Sequence, residues 1–321
     1  MGQVSGRRRM GWFGWTATLL VVFVAAFGGF AWWAVANNSV ASLDAVDARF
    51  SRSRAARLAD RGRYGEHPAQ KFELFVPTGP APAGGHPLVA FYHGGGWRSG
   101  DPHDYRFIAR ALADHGYAAA LMGYRLKRDG RFPNMLLDSA AGLRNVRDAA
   151  AAHGVAPDRI VLMGHSAGAY NASMLTLDRR WLNDAGVPES AIKGAVVMSG
   201  PSDFYPFDKS SSKNAMGHWP RPEETQPVNY ARADAPPMLL LHGAEDTSVR
   251  PRNATILART LTERGAPTQA TLIEGMGHNG PVITLARPFD RDTRAGEAIF
   301  AFLAKTLAAE PASSPVKRRK P

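Results

Sequence analysis

From Lys71 onward, short apolar runs alternate with stretches whose apolar residues recur every three or four positions. KFELFVP (71–77) alternates with period two and predicts an outer antiparallel strand. PLVAFYH (87–93) is a continuous apolar run ended by three glycines. YAAALMGY (117–124), RIVLMG (159–164), IKGAVVMS (192–199), PMLLLHG (237–243) and TQATLIEG (268–275) are similar. Runs that are apolar on both faces suit parallel strands covered by helices on both sides. Between them, residues 134–152 place Leu136, Ala140, Leu143, Val146 and Ala150 on one helical stripe. Residues 167–178, 252–264 and 293–308 are helical by the same spacing. Strand–helix alternation of this kind predicts an α/β fold with a doubly wound, mostly parallel sheet.

Three segments depart from this rhythm. Residues 201–236 are rich in Pro, Ser and aromatics and too long for an ordinary connection of about 4–6 residues; they predict a short insertion placed like a lid over a site. Residues 44–63 are rich in Ala, Arg and Asp and read as a helical connector, part of a linking stretch 37–63. Upstream, no residue from Met10 to Leu43 is charged, and TATLLVVFVAAFGGFAWWAVA within that run is long enough for one transmembrane helix, which needs roughly 20 apolar residues. Trp12, Phe13 and Trp15 flank one end and Trp32 and Trp33 the other, and Arg7–Arg9 precede the run. Those cations predict a cytoplasmic start (1–9), a signal anchor (10–36) and a domain outside the cytoplasm. The alternative is a signal peptide cut near Ala36, after Ala34-Val35-Ala36; the domain would then be secreted or periplasmic.

Composition adds little and excludes more. The net charge is +11, but Arg7–Arg9 and Lys317–Lys320 supply much of it at the two ends. The body lacks the basic face that nucleic-acid binding needs, and 309–321 reads as a disordered basic tail. With no cysteine, disulfides, thiolate metal sites and a cysteine nucleophile are ruled out. No H-E-x-x-H or close carboxylate–histidine cluster occurs, so no metal or other cofactor is expected.

The chemistry concentrates at the ends of the predicted strands. GHSAG (164–168) has the form G-x-S-x-G after a strand and before a helix. There the glycines permit the sharp turn that exposes a serine hydroxyl at the carboxyl end of the sheet, so Ser166 is the candidate nucleophile. A serine needs a base and oxyanion donors. HGGGW (93–97) also ends a strand, and its glycine amides can approach a substrate oxygen unobstructed; Gly94 and Gly95, with Ala167 after the serine, are the candidate donors. GMGHNG (275–280) offers His278 in a late loop as the base. HGAEDTSV (242–249) offers Asp246 or Glu245 as the acid, with Asp246 favoured by its place in the loop. The order Ser166, Asp246, His278 is that of the strand-turn-helix hydrolases. His93 and His242 are assigned structural roles and His165 is the variable position of its motif. Trp97 and Phe204 are candidate pocket residues, or else packing residues.

HGGGW, MGYRL (122–126), DRIVLMGHSAGAYNASML (158–175), LLLHGAEDTSV (239–249) and GMGHNG together resemble the α/β-hydrolase fold, in the esterase/lipase branch with an HGGG oxyanion loop. The nearest likeness is to BD-FAE-like and hormone-sensitive-lipase-like carboxylesterases, over about Tyr64 to Leu307. It implies an eight-stranded sheet in a domain spanning 64–308. It also implies ester hydrolysis through an acyl-serine without cofactor, with Ser166, Asp246 and His278 in the nucleophile, acid and base positions. GHSAG, in place of GDSAG, favours the BD-FAE-like side. The expected substrate is a small-molecule ester with a short acyl or aryl group. An amide-acting relative with the same triad, an arylformamidase or peptidase, and a non-catalytic binding protein on the same fold are the other readings.

Overall fold

Every residue of strand β3 (His86–Tyr92) is buried, as a strand with helices over both faces must be. In the computed structural model, which describes residues 40–308 except 52, 53 and 267, together with 15, 18, 19, 21–23 and 28, β3 sits inside an eight-stranded sheet. The other strands are β1 (Ala56–Arg63), β2 (Lys71–Pro77), β4 (Ala118–Met122), β5 (Val155–His165), β6 (Ile192–Met198), β7 (Met238–Gly243) and β8 (Gln269–Ile273). Their order across the sheet is β1-β2-β4-β3-β5-β6-β7-β8. From β4 to β8 neighbours run parallel, while β1–β2 and β2–β4 are antiparallel.

Alternate residues of the central strands enter opposite layers of core. Leu88, Leu162 and Val197 pack on one face with Leu136 and Leu143 of the helix Asn134–Ala149 and with Leu257 of the helix Arg252–Glu263. Val89, Val161 and Val196 pack on the other with Ile108 of the helix Arg106–Asp114 and Leu303 of the helix Arg294–Thr306. The period-two geometry of a strand thus divides one continuous apolar run between two layers.

Three expectations are corrected. KFELFVP is antiparallel but not outermost, because β1 pairs beyond it from Ala56↔Pro77 to Arg63↔Lys71. Residues 56–63 are therefore strand rather than helical connector. Each is half-buried or exposed and none is buried, and the charged side chains suit an edge. The stretch 37–63 is not a free link to a domain starting at Tyr64. Helix α1 (Val40–Phe50) is docked on the helix Arg106–Asp114: Arg110 bonds Asp44 Oδ1 at 2.6 Å and Asp47 Oδ2 at 2.5 Å, and the Arg287 amide donates to Asp47 Oδ1 at 2.7 Å.

The insertion 201–236 carries a short helix, Ser210–Met216, and two 3₁₀ turns, Pro222–Thr225 and Pro227–Tyr230. The expected membrane segment 10–36 lies largely outside the described residues, as do 1–9 and 309–321; among the described residues no helix is long and apolar enough to cross a membrane.

Candidate active site

Strand β5 ends at His165, and the helix Ala167–Leu177 begins two residues on. Ser166 makes the turn between them with φ 55° and ψ −118°, outside the ordinary regions for a side chain of its kind. The flanking glycines are required by contact. A Cβ on Gly168 would lie 2.0 Å from the Tyr92 carbonyl oxygen, and one on Gly164 2.3 Å from the Gly168 carbonyl oxygen. Strand, turn and helix are therefore pressed together at van der Waals limits, and the serine is held at the carboxyl edge of the sheet.

The loops after β7 and β8 bring the other two groups to it. His278 Nε2 is 2.9 Å from Ser166 Oγ, and His278 Nδ1 is 2.7 Å from Asp246 Oδ2. A carboxylate facing Nδ1 puts the proton there and leaves Nε2 as the acceptor toward the serine hydroxyl. Asp246 is 4% exposed, yet each of its oxygens is satisfied. Oδ1 accepts from the amides of Ser248 at 2.8 Å and Val249 at 2.9 Å. Burial alone would push this carboxyl up, but the bonds from His242 and His278 outweigh it and hold it below the usual carboxylate range. Glu245, the other candidate acid, is exposed.

His242 is the residue whose part in this network the sequence reading did not foresee. Its Nε2 lies 3.1 Å from Asp246 Oδ2 and 2.9 Å from the Val249 carbonyl oxygen. Both partners are acceptors, so Nε2 carries a proton and donates. His242 and Asp246 are four residues apart in HGAED, a spacing that could have drawn attention to the pair. His165 likewise faces the site. Its Nε2 is 3.0 Å from the His278 carbonyl oxygen, and burial, then the neighbouring His278, push its pKa down to about 3. It stays neutral, so no fixed positive charge opposes an imidazolium forming on His278.

The glycine loop closes the other side. A Cβ on Gly94 would lie 3.4 Å from Ser166 Cβ, so this backbone runs against the serine. Gly95 has φ 116°, and a Cβ there would fall 2.0 Å from the Ser99 carbonyl oxygen. Ala167 is the first residue of its helix, where the N–H has no intrahelical acceptor. Buried His93 anchors the loop: its Nδ1 bonds the Gly94 carbonyl at 2.7 Å, its carbonyl accepts from Tyr124 Oη at 2.6 Å, and burial pushes its pKa down to about 4. Two hollows meet at Ser166. One, of about 110 Å³, is walled by Trp97 and Phe204, whose rings stack at 6.5 Å; the other is a cleft of about 640 Å³ lined by Gly94, Gly95 and His278. Trp97 and Phe204 thus pack on each other and bound a pocket at once.

The chain is similar to known esterases in sequence and shape. It is 27% identical over 235 residues to a probable isoprenylcysteine alpha-carbonyl methylesterase of Oryza sativa subsp. japonica, across 67% of this chain and 56% of that protein. A kynurenine formamidase of Danio rerio is 30% identical over 145 residues, 45% of this chain and 46% of the relative. The chain spans about half the length of the curated relatives it matches. Among solved structures, a thermophilic esterase of Thermogutta terrifontis with butyrate bound superposes with a TM-score of 0.66 at 22% identity, over 79% of this chain and 96% of that one; at that identity the likeness speaks for the fold, the α/β-hydrolase arrangement of strands and helices. The family model for BD-FAE matches residues 73–261, more than half of the chain and the whole stretch from β2 to the helix after β7, and the chain therefore belongs to the BD-FAE family.

Proposed function

We propose that this protein is a serine hydrolase that cleaves carboxylic esters through an acyl-serine intermediate, its substrates carrying a short acyl or aryl group. The observation that carries the reading is the unbroken hydrogen-bonded series Ser166–His278–Asp246 at the end of the sheet. Ser166 Oγ attacks the ester carbonyl carbon while His278 Nε2 takes its proton. Asp246 stabilises the resulting imidazolium. The amides of Ala167 and of Gly94 or Gly95 hold the oxyanion. The intermediate collapses, and His278 Nε2–H protonates the departing alcohol. Water then attacks the acyl-serine with His278 again as base, releasing the acid and restoring Ser166.

An amide-acting enzyme with the same residues is the second reading, favoured by the likeness to a kynurenine formamidase. Hydrolysis of p-nitrophenyl acetate, butyrate and octanoate and of a matched anilide, by wild type and Ser166→Ala, separates the two. We expect ester turnover that falls with acyl length. Ser166→Ala should lower kcat/KM by at least about 10⁴-fold and abolish fluorophosphonate labelling, with the melting temperature retained. Anilide cleavage without ester cleavage would move the protein to the amidase reading, and labelling that persists in Ser166→Ala would remove Ser166 from its role.

The proposed placement is a single-pass anchor through 10–36 with the domain outside the cytoplasm. The uncharged run, its aromatic ends and Arg7–Arg9 before it support this. Cleavage near Ala36, leaving a secreted or periplasmic enzyme, is the alternative.

A further inference from the structure

Ser166 lies on the boundary between two hollows of very different size, and the chemistry of the leaving group says which part of the substrate each receives. The proton that His278 Nε2 takes from the serine is returned to the alcohol oxygen, so that oxygen must depart within hydrogen-bond reach of the ring. His278 and His165 line the 640 Å³ cleft. The 110 Å³ cavity has neither; Trp97, Pro201 and Phe204 line it with Ser166, as do charged residues such as Asp203, Arg250 and Arg252. The alcohol therefore belongs in the cleft, and the acyl group, on the other side of the carbonyl carbon, belongs in the cavity.

The cavity sets a limit. A space of about 150 Å³ holds one benzene ring. At about 110 Å³ the cavity is smaller than that and favours a short aliphatic acyl group over an aromatic ring. The cleft has a different character. Val40 and Leu43 of α1, with Val282 and Ile283, line it and pack in one apolar cluster. Exposed Arg98 and Lys209 line it as well. Val40 and Leu43 lie ahead of residue 73, outside the stretch that the family model matches. This wall of the cleft is held on the domain through Arg110.

We propose that the substrate is a short aliphatic acyl ester, up to about butyryl, of a large alcohol whose apolar portion lies against Val40 and Leu43, with α1 acting as a specificity element for the alcohol. The proposal rests on the esterase reading and narrows it by favouring short aliphatic over aryl acyl groups. Octyl acetate and ethyl octanoate are constitutional isomers that differ only in which side of the ester bears the long chain, so they report the assignment directly.

With the full chain, kcat/KM should favour octyl acetate by at least tenfold, since each methylene that a pocket refuses changes the rate by about that factor. Phe204→Ala, which opens the cavity, should raise ethyl octanoate turnover and shrink the ratio. Val40→Asp, which puts a charge on the apolar wall, should lower octyl acetate turnover roughly tenfold relative to ethyl acetate. A ratio near one or reversed in the wild type, with ethyl acetate cleaved in a Ser166-dependent manner, would overturn the assignment of the two hollows and leave the esterase reading standing. A high ratio unmoved by Val40→Asp would overturn the role of α1. Failure to cleave ethyl acetate, octyl acetate and ethyl octanoate alike would sink the esterase reading itself.

Discussion

Two buried histidines next to the site tie its integrity to pH. The unfolded chain takes up a proton on each imidazole near pH 6.5. In the folded protein burial keeps His93 neutral down to about 4 and His165 down to about 3. Between those limits the unfolded state binds more protons, so stability falls as pH falls, by about 1.4 kcal/mol per pH unit for each ring. The loss starts near pH 6.5 and amounts to about 4 kcal/mol by pH 5, lowering the melting temperature by roughly 10 °C for a domain of this size. Thermal melts at pH 7 and pH 5 check this; equal midpoints would mean that both rings take up protons while the protein is still folded. At this scale the sequence was largely legible for the three groups in contact, because G-x-S-x-G, a late loop histidine and a strand-end aspartate each stand at a turn with a reason to be there. His242 was read only as a structural residue, since a histidine ending a strand looks alike whether it bonds a backbone carbonyl or, as here, an aspartate as well.

Elements buried on both faces declared themselves, and those lying at the margin did not. The run 87–93 could hardly be anything but a central strand, and the stripe from Leu136 to Val146 anything but a helix against the core. ARLADRGR in β1 carries no such signal. It is an edge strand, its register is set by pairing with β2, and its composition taken alone favours a helix. The docking of helix α1 was missed for a related reason: the sequence reads 44–63 as helical, which holds for 44–50, but the helix's attachment depends on Arg110, sixty-odd residues away. Asp47 is 2% exposed and depends on that guanidinium. Arg110→Ala should therefore cost about 3–5 kcal/mol, the usual penalty for leaving a buried charge unpaired, or else release α1. Urea unfolding with hydrogen exchange over 40–50 distinguishes these results, and unchanged stability with full protection would show that the pair holds nothing.

At the scale of the whole molecule, the placement proposed above puts the sheet and its cleft outside the cytoplasm. Arg7–Arg9 ahead of an uncharged apolar run predict a non-cytoplasmic domain. A reporter fused after Pro321, of a kind active only outside the cytoplasm, should therefore be active, and a signal only from a cytoplasmic reporter would reverse the topology. The docking of α1 gives this a mechanical meaning. A catalytic domain on a flexible leash samples a volume set by the length of the leash. Here Arg110 clamps the chain at Asp44 and Asp47, a few residues after the apolar run ends, and Val40 already lines the cleft. In sequence, only residues 37–39 separate the anchor proposed for 10–36 from Val40. Under the proposed anchor, so short a tether would keep the cleft mouth close to the membrane surface. An enzyme so tethered would meet its substrate as a stylus meets a page, searching in two dimensions rather than three.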